Sequence, residues 1–106
     1  MEKKVVAEIS VVPIGTGSAS VSEYVAACVS ILEKRDVSYR LTPMGTIMEG
    51  TLEQIMSATV EMHEAPFLKG AVRVVTTLKI DERRDKTLSM DGKLGSVKKR
   101  MPSVRT

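Results

Sequence analysis

Thr42, Met44, Thr46, Met48 and Glu49 crowd one short segment, Tyr39-Arg40-Leu41-Thr42-Pro43-Met44-Gly45-Thr46-Ile47-Met48-Glu49-Gly50. Hydroxyls both donate and accept hydrogen bonds, a carboxylate offsets positive charge, and thioethers pack softly against irregular shapes. A surface turn has no use for that mixture, but a pocket for a small, flat, partly cationic ligand does. The competing reading of Glu49 is an ion pair with Arg40 or Arg73, and spacing alone favours that pairing. Glu8 is a second candidate for the carboxylate, and Ser10 offers a further hydroxyl from the preceding apolar run.

Other reactive residues are sparse. Gly15-Thr16-Gly17-Ser18-Ala19-Ser20 leads into a helix start, where free N–H groups and the positive dipole end favour anions. Gly15, Thr16, Gly17 and Ser18 are therefore a possible anion site, although the Lys and spacing of a P-loop are missing. A flexible connection explains the same residues. Cys28 is the single cysteine, so no intrachain disulfide can form, and its place on an apolar helical stripe marks a buried, inert thiol. His63, also single, is expected to be half-exposed near a helix C-terminus, and a metal site would need more ligands than it can gather. No Ser/His/Asp or Cys/His set can be assembled. An acylphosphatase-like chemistry would need an Asn, and the chain has none. A non-enzymatic role is expected, with no metal and no catalytic cofactor.

Composition narrows the class further. The 106 residues are expected to form one domain over 1–106, with 42% hydrophobic content to build a core and a basic tail at 98–106 that frays. The net charge of +3 gathers in Lys98, Lys99, Arg100 and Arg105, while Tyr24, Tyr39 and Phe67 are the only aromatics. A nucleic-acid surface would interleave basic and stacking residues, so no nucleic-acid partner is expected. No apolar run approaches the roughly 18 residues of a membrane span. Met1-Glu2-Lys3-Lys4 enters a strand without a signal-peptide core, which gives a cytoplasmic expectation. The lack of Asn and the single Gln54 hint at a thermophilic source, against which the seven Met weigh.

The elements that must position the crowded segment can be read in order. Val5 to Val12 is apolar and β-rich, as a strand covered on both faces would be. Ser20 with Glu23 reads as a capping box, followed by the helical stripe Val21, Tyr24, Val25, Cys28, Val29, Leu32. Pro43-Met44-Gly45 hinges two short strands. Thr51 with Gln54 repeats the capping-box pattern, and the next helix is expected to end at Pro66. Gly70 turns the chain into a strand over Val72 to Asp81, and Met90, Leu94, Val97 and Met101 predict a short closing helix. The order β-α-β-β-α-β is the ferredoxin-like α+β sandwich with an additional C-terminal helix. Both helices then share one sheet face, and the other face, mixed in polarity, is a natural surface for self-association.

The pattern Thr42-Pro43-Met44-Gly45-Thr46, two residues, then Glu49-Gly50 resembles the signature of the small thiamine-binding protein family, relatives of the YkoF-like proteins. Val5 to Pro13 with Ile14-Gly15 is similar to its first strand and exit, and Ser22-Glu23-Tyr24-Val25 to its first helix. Arg73-Val74-Val75-Thr76 through Arg84-Asp85-Lys86 and Lys93 to Val97 are similar to its last strand, turn and closing helix. The resemblance runs over about residues 3 to 100. It implies dimers that pair into tetramers and a ligand such as thiamine or a related pyrimidine or thiazole, held for delivery or sequestration. It points to Ser10, Thr42, Met44, Thr46, Met48 and Glu49 as the ligand-binding set, in a cleft at a subunit boundary. The alternative is a ligand-sensing module similar to the amino-acid-binding ferredoxin-like domains, acting on a partner protein.

Overall fold

The structure, a computed structural model, describes residues 3–106; Met1 and Glu2, part of the expected strand entry, lie outside the described residues. The elements are β1 (Lys4–Pro13), α1 (Ser22–Arg35), β2 (Ser38–Thr42), β3 (Gly45–Thr51), α2 (Leu52–Leu68), β4 (Val74–Asp81) and α3 (Met90–Arg100). The four strands form one antiparallel sheet in the order β2-β3-β1-β4, the ferredoxin-like arrangement expected from the element order.

Alternation along β1 divides the molecule. Val5, Ala7, Ile9 and Val11 turn toward the helices and form the main core with Leu32, Met48, Ile55 and Met62. Val6, Glu8, Ser10 and Val12 turn the other way. Helix α3 lies across one end of that opposite face, where Val6, Leu88 and Met90 make a small second core beside Ile47. Arg40–Asp91 and Lys93–Asp81 ion pairs tie it to the two outer strands. Lys98, Lys99 and Arg100 belong to its last turn, where they complement the helix dipole.

Three local expectations are corrected. Ser20 is not the cap of α1: the helix begins at Ser22 with Val21 at the cap position and no side-chain hydrogen bond, and the Ser20 hydroxyl lies 3.4 Å from that of Ser22. Val21 already supplies the first carbonyl, accepting from Tyr24 and Val25, so Ser20 stands one residue too early. Strand β4 begins at Val74 rather than Val72, because Gly70 at φ +97° and the Ala71 N–H bonded to the Pro66 carbonyl prolong the turn. Pro66 does not end α2; it sits buried inside the last turn, which runs to Leu68. Its missing N–H strips the Met62 carbonyl of the usual partner. The Cys28 thiol donates to that carbonyl at 3.4 Å and fills the gap. The capping box on α2 forms as expected, with the Thr51 hydroxyl accepting from the Gln54 N–H at 3.2 Å and the Gln54 side chain accepting from the Thr51 N–H at 2.9 Å.

Candidate functional site

The register of β1 creates the site. Its pairing with β3 stops at Ile9–Thr46, whereas its pairing with β4 continues to Pro13–Val74. From Ser10 to Pro13 the strand therefore has a neighbour on one side only. The β2–β3 hairpin turns at Pro43-Met44, and the notch between that turn and the overhang of β1 opens beneath the start of α1. A cavity of about 290 Å³ fills the notch, walled by Ile9, Val11, Val25, Cys28, Leu41 and Met62. It runs on into an open groove of about 710 Å³ between α1 and β2, floored by Val21, Val25, Val29 and Leu41, with Glu33 at its side.

Four of the six expected ligand residues, Ser10, Thr42, Met44 and Thr46, border this cavity. Thr46 is the polar group set deepest in it. It is only 5% exposed, faces the helix side beside the core, and its hydroxyl has no protein hydrogen-bond partner among the described residues. Thr42 serves the turn itself: its hydroxyl donates to the Gly45 carbonyl at 2.8 Å and accepts from the Gly45 N–H at 3.1 Å. Met44 forms the rim at 86% exposure.

The other two expected residues are elsewhere. Met48 is 0% exposed and packs in the main core opposite Ala7, so it is scaffold rather than lining. Glu49 pairs in register with Val6 and points to the opposite sheet face, one position past Met48. By strand rise it lies about 13 Å along β1 from Ser10, too far for both to hold one ring. Neither expected ion pair of Glu49 forms, since Arg40 is taken by Asp91 and Arg73 precedes β4, its carbonyl accepting from the Ile14 N–H. Glu8, the second candidate, is on the same remote face with its carboxylate 3.4 Å from the Lys79 ammonium.

The groups around the cavity are held in defined states. Burial pushes the Cys28 thiol above its ordinary range, and its bond to the Met62 carbonyl occupies its proton. The hydrogen bond from the Tyr39 hydroxyl to Glu33, which lines the groove, raises the phenol's pKa. In the Gly15–Ser18 loop the Thr16 hydroxyl donates to the Ser18 carbonyl at 3.1 Å, and the Ser18 hydroxyl accepts from the Ser20 N–H at 3.1 Å. That loop spends both hydroxyls on its own shape. His63 stands apart from the cavity, with Nδ1 2.7 Å from the Thr76 hydroxyl and its ring edge-on to Phe67. The apolar walls supplied by α1 and α2 were legible only as core stripes; the overhang of β1, set by the short β3, carried no sequence signal.

The family model described as thiamine-binding protein matches residues 7–98. The UPF0045 protein YqgV of Bacillus subtilis is 43% identical over 100 residues, covering 91% of this chain and 96% of that protein. A UPF0045 protein of Methanothermobacter thermautotrophicus is 45% identical over 98 residues, covering 92% and 99%. Among solved structures, protein MJ1052 from Methanocaldococcus jannaschii is similar at a TM-score of 0.82 and 42% identity, covering 90% of this chain and 96% of that one. A candidate thiamine biosynthesis/salvage protein from Thermotoga maritima is similar at a TM-score of 0.74 and 26% identity, covering 89% and 98%.

Proposed function

The chain belongs to the thiamine-binding protein family, and on that premise we propose that it binds thiamine, or a related pyrimidine compound, in the cavity beneath the β2–β3 hairpin. The observation that carries this reading is Thr46, 5% exposed as a residue, whose hydroxyl has no protein partner among the described residues and opens on an apolar-walled cavity. A hydroxyl that no protein group occupies and that is accessible from an apolar-walled cavity is a hydrogen-bonding position for a ligand. At about 290 Å³ the cavity sits at the low end of ligand sites and holds one substituted ring.

The pyrimidine half takes the cavity and the cationic thiazolium lies in the groove. No carboxylate lines the cavity, and Glu33 stands two turns beyond Val25, about 12 Å away by helical rise. That exceeds a Debye length of about 8 Å at physiological salt, so Glu33 draws the cation only weakly. The neutral ring therefore supplies most of the affinity. The ligand is held and not turned over, since Cys28, the one thiol at the wall, is kept protonated and hydrogen-bonded. Self-association through the uncovered part of the opposite face, around Ser10, Val12, Val75 and Thr77, completes the reading.

Calorimetric titration with thiamine and with its pyrimidine and thiazole halves tests it. The pyrimidine half is expected to retain most of the affinity and the thiazole half little. Glu49→Gln, on the far face, leaves thiamine binding within about two-fold, below the 1.4 kcal/mol of a ten-fold change. Thiamine that gives no heat at millimolar concentration removes the reading in favour of the sensor module.

A further inference from the structure

The cavity reaches the bare edge of β1, and that edge has a fixed hydrogen-bonding code. In an antiparallel pair, alternate residues exchange both backbone bonds with the same neighbour. The Ile14 N–H bonds to the Arg73 carbonyl on the β4 side. Stepping back by two, Val12 and Ser10 bond to β4, while Val11 and Ile9 direct their N–H and C=O groups toward β3. The position of the Ile9 carbonyl agrees: a Cβ built on Gly45 of β3 would lie 3.1 Å from it. Ile9 finds its partner in Thr46, the last pair of that ladder. Val11 would face Met44, but Met44 is in the turn and gives its N–H to the Thr42 hydroxyl at 3.3 Å. The Val11 N–H and C=O consequently have no backbone partner among the described residues. Ser10 and Val12 have side chains on the opposite face yet border the same cavity, so the cavity extends to this edge.

We infer that the backbone N–H and C=O of Val11, with the Thr46 hydroxyl beside them, select a heteroaromatic ring carrying a ring-nitrogen acceptor next to an exocyclic amine donor. The inference rests on the ligand reading above and specifies which edge of the ligand is read. The Val11 N–H donates to the ring nitrogen and the Val11 carbonyl accepts from the amine, which extends the β1 ladder by one ligand-borne rung. Ile9, whose partner is Thr46, and Val11 are about 7 Å apart along the strand, a span that one substituted six-membered ring covers. A ring with the two roles exchanged sets donor against donor and acceptor against acceptor. Sites built around such pairs reject mismatched analogues far more strongly than apolar walls reject an extra methyl.

The test is titration of the wild-type protein with 4-amino-5-hydroxymethyl-2-methylpyrimidine and with its 4-oxo analogue, in which an N–H replaces the acceptor and a carbonyl replaces the amine. The amino ring is expected to bind at least about 30-fold more tightly, the cost of leaving two buried groups unpaired. A second arm compares Val11→Pro, which deletes the N–H without removing a β4 ladder bond, with Val11→Ala, which keeps it. The Pro variant loses about ten-fold in affinity for the amino ring beyond any loss in the Ala variant. Equal binding of the two rings overturns this inference and leaves the cavity reading standing. Failure of both rings and of thiamine overturns both. The ligand arm requires no variant, so it decides the matter even where Val11→Pro does not fold.

Discussion

Replacing Thr46 by Val should move stability and binding in opposite directions. The two side chains have nearly the same shape, and Val suits a strand at least as well as Thr. In the free protein Thr46 is 5% exposed, and its hydroxyl, without a protein partner among the described residues, is accessible from the cavity. It therefore bears only part of the about 1–3 kcal/mol that a fully buried unsatisfied polar group costs. Water entering the cavity offsets part of that cost, so the expected gain in unfolding free energy is at most about 1 kcal/mol. The ligand loses one hydrogen bond worth about 0.5–1.5 kcal/mol, which lowers affinity about three- to ten-fold. Urea unfolding without ligand reads the first quantity, provided the slope is unchanged, and calorimetric titration with thiamine reads the second. A variant that loses 1 kcal/mol or more while binding thiamine normally would mean that the hydroxyl is bonded inside the fold. The cavity would then have no polar anchor in β3.

Thr51→Ala should cost about 1 kcal/mol by breaking the capping box of α2, whereas Ser20→Ala should stay within about 0.5 kcal/mol because Ser20 caps nothing. Equal losses in denaturation midpoints would restore the helix start at Ser20. The raised pKa of Cys28 predicts a stability contribution that is complete below the ordinary thiol value of about 8.5 and is lost as pH rises through the higher folded value, since the unfolded chain releases the proton first. Native-state alkylation at pH 8 should be limited by opening of the fold, and labelling as fast as a free peptide thiol would contradict the burial. Thr77→Asp, facing Ser10 on the uncovered side of the sheet, should weaken self-association before it unfolds the subunit. Light scattering that gives a monomer mass for the wild type at micromolar concentration would remove that claim.

The fold was legible because its signals are periodic and local. Alternation named β1, helical stripes named α1 and α2, and the Pro43-Met44 turn fixed the register of β2 on β3. The signals that misled were single residues. Ser20 looked like a cap because Glu23 follows three residues later, but a cap also needs the chain to leave the helix at that residue, and it leaves one later. Pro66 looked like a stop, yet proline only removes one N–H, and Cys28 from the neighbouring helix repairs the loss. In the site, strand parity decided the outcome. Thr46 and Glu49 are close in sequence but face opposite sides of the sheet, and a list of residue types does not record parity. The backbone of Val11 was invisible for a deeper reason. Its availability depends on where β3 stops relative to β1, a tertiary register that no side chain at Val11 announces.

The proposed ligand position is the helix side of the sheet, in the notch where β1 outruns β3. Amide chemical-shift mapping of the isotopically labelled protein during titration with thiamine tests this most directly. The largest shifts should fall at Ile9 to Val12, at Leu41 to Thr46 and along Val21 to Cys28, with the Val11 amide foremost. Shifts concentrated instead at Glu8, Ile47, Glu49 and Lys79 would place the ligand on the opposite face and contradict the account.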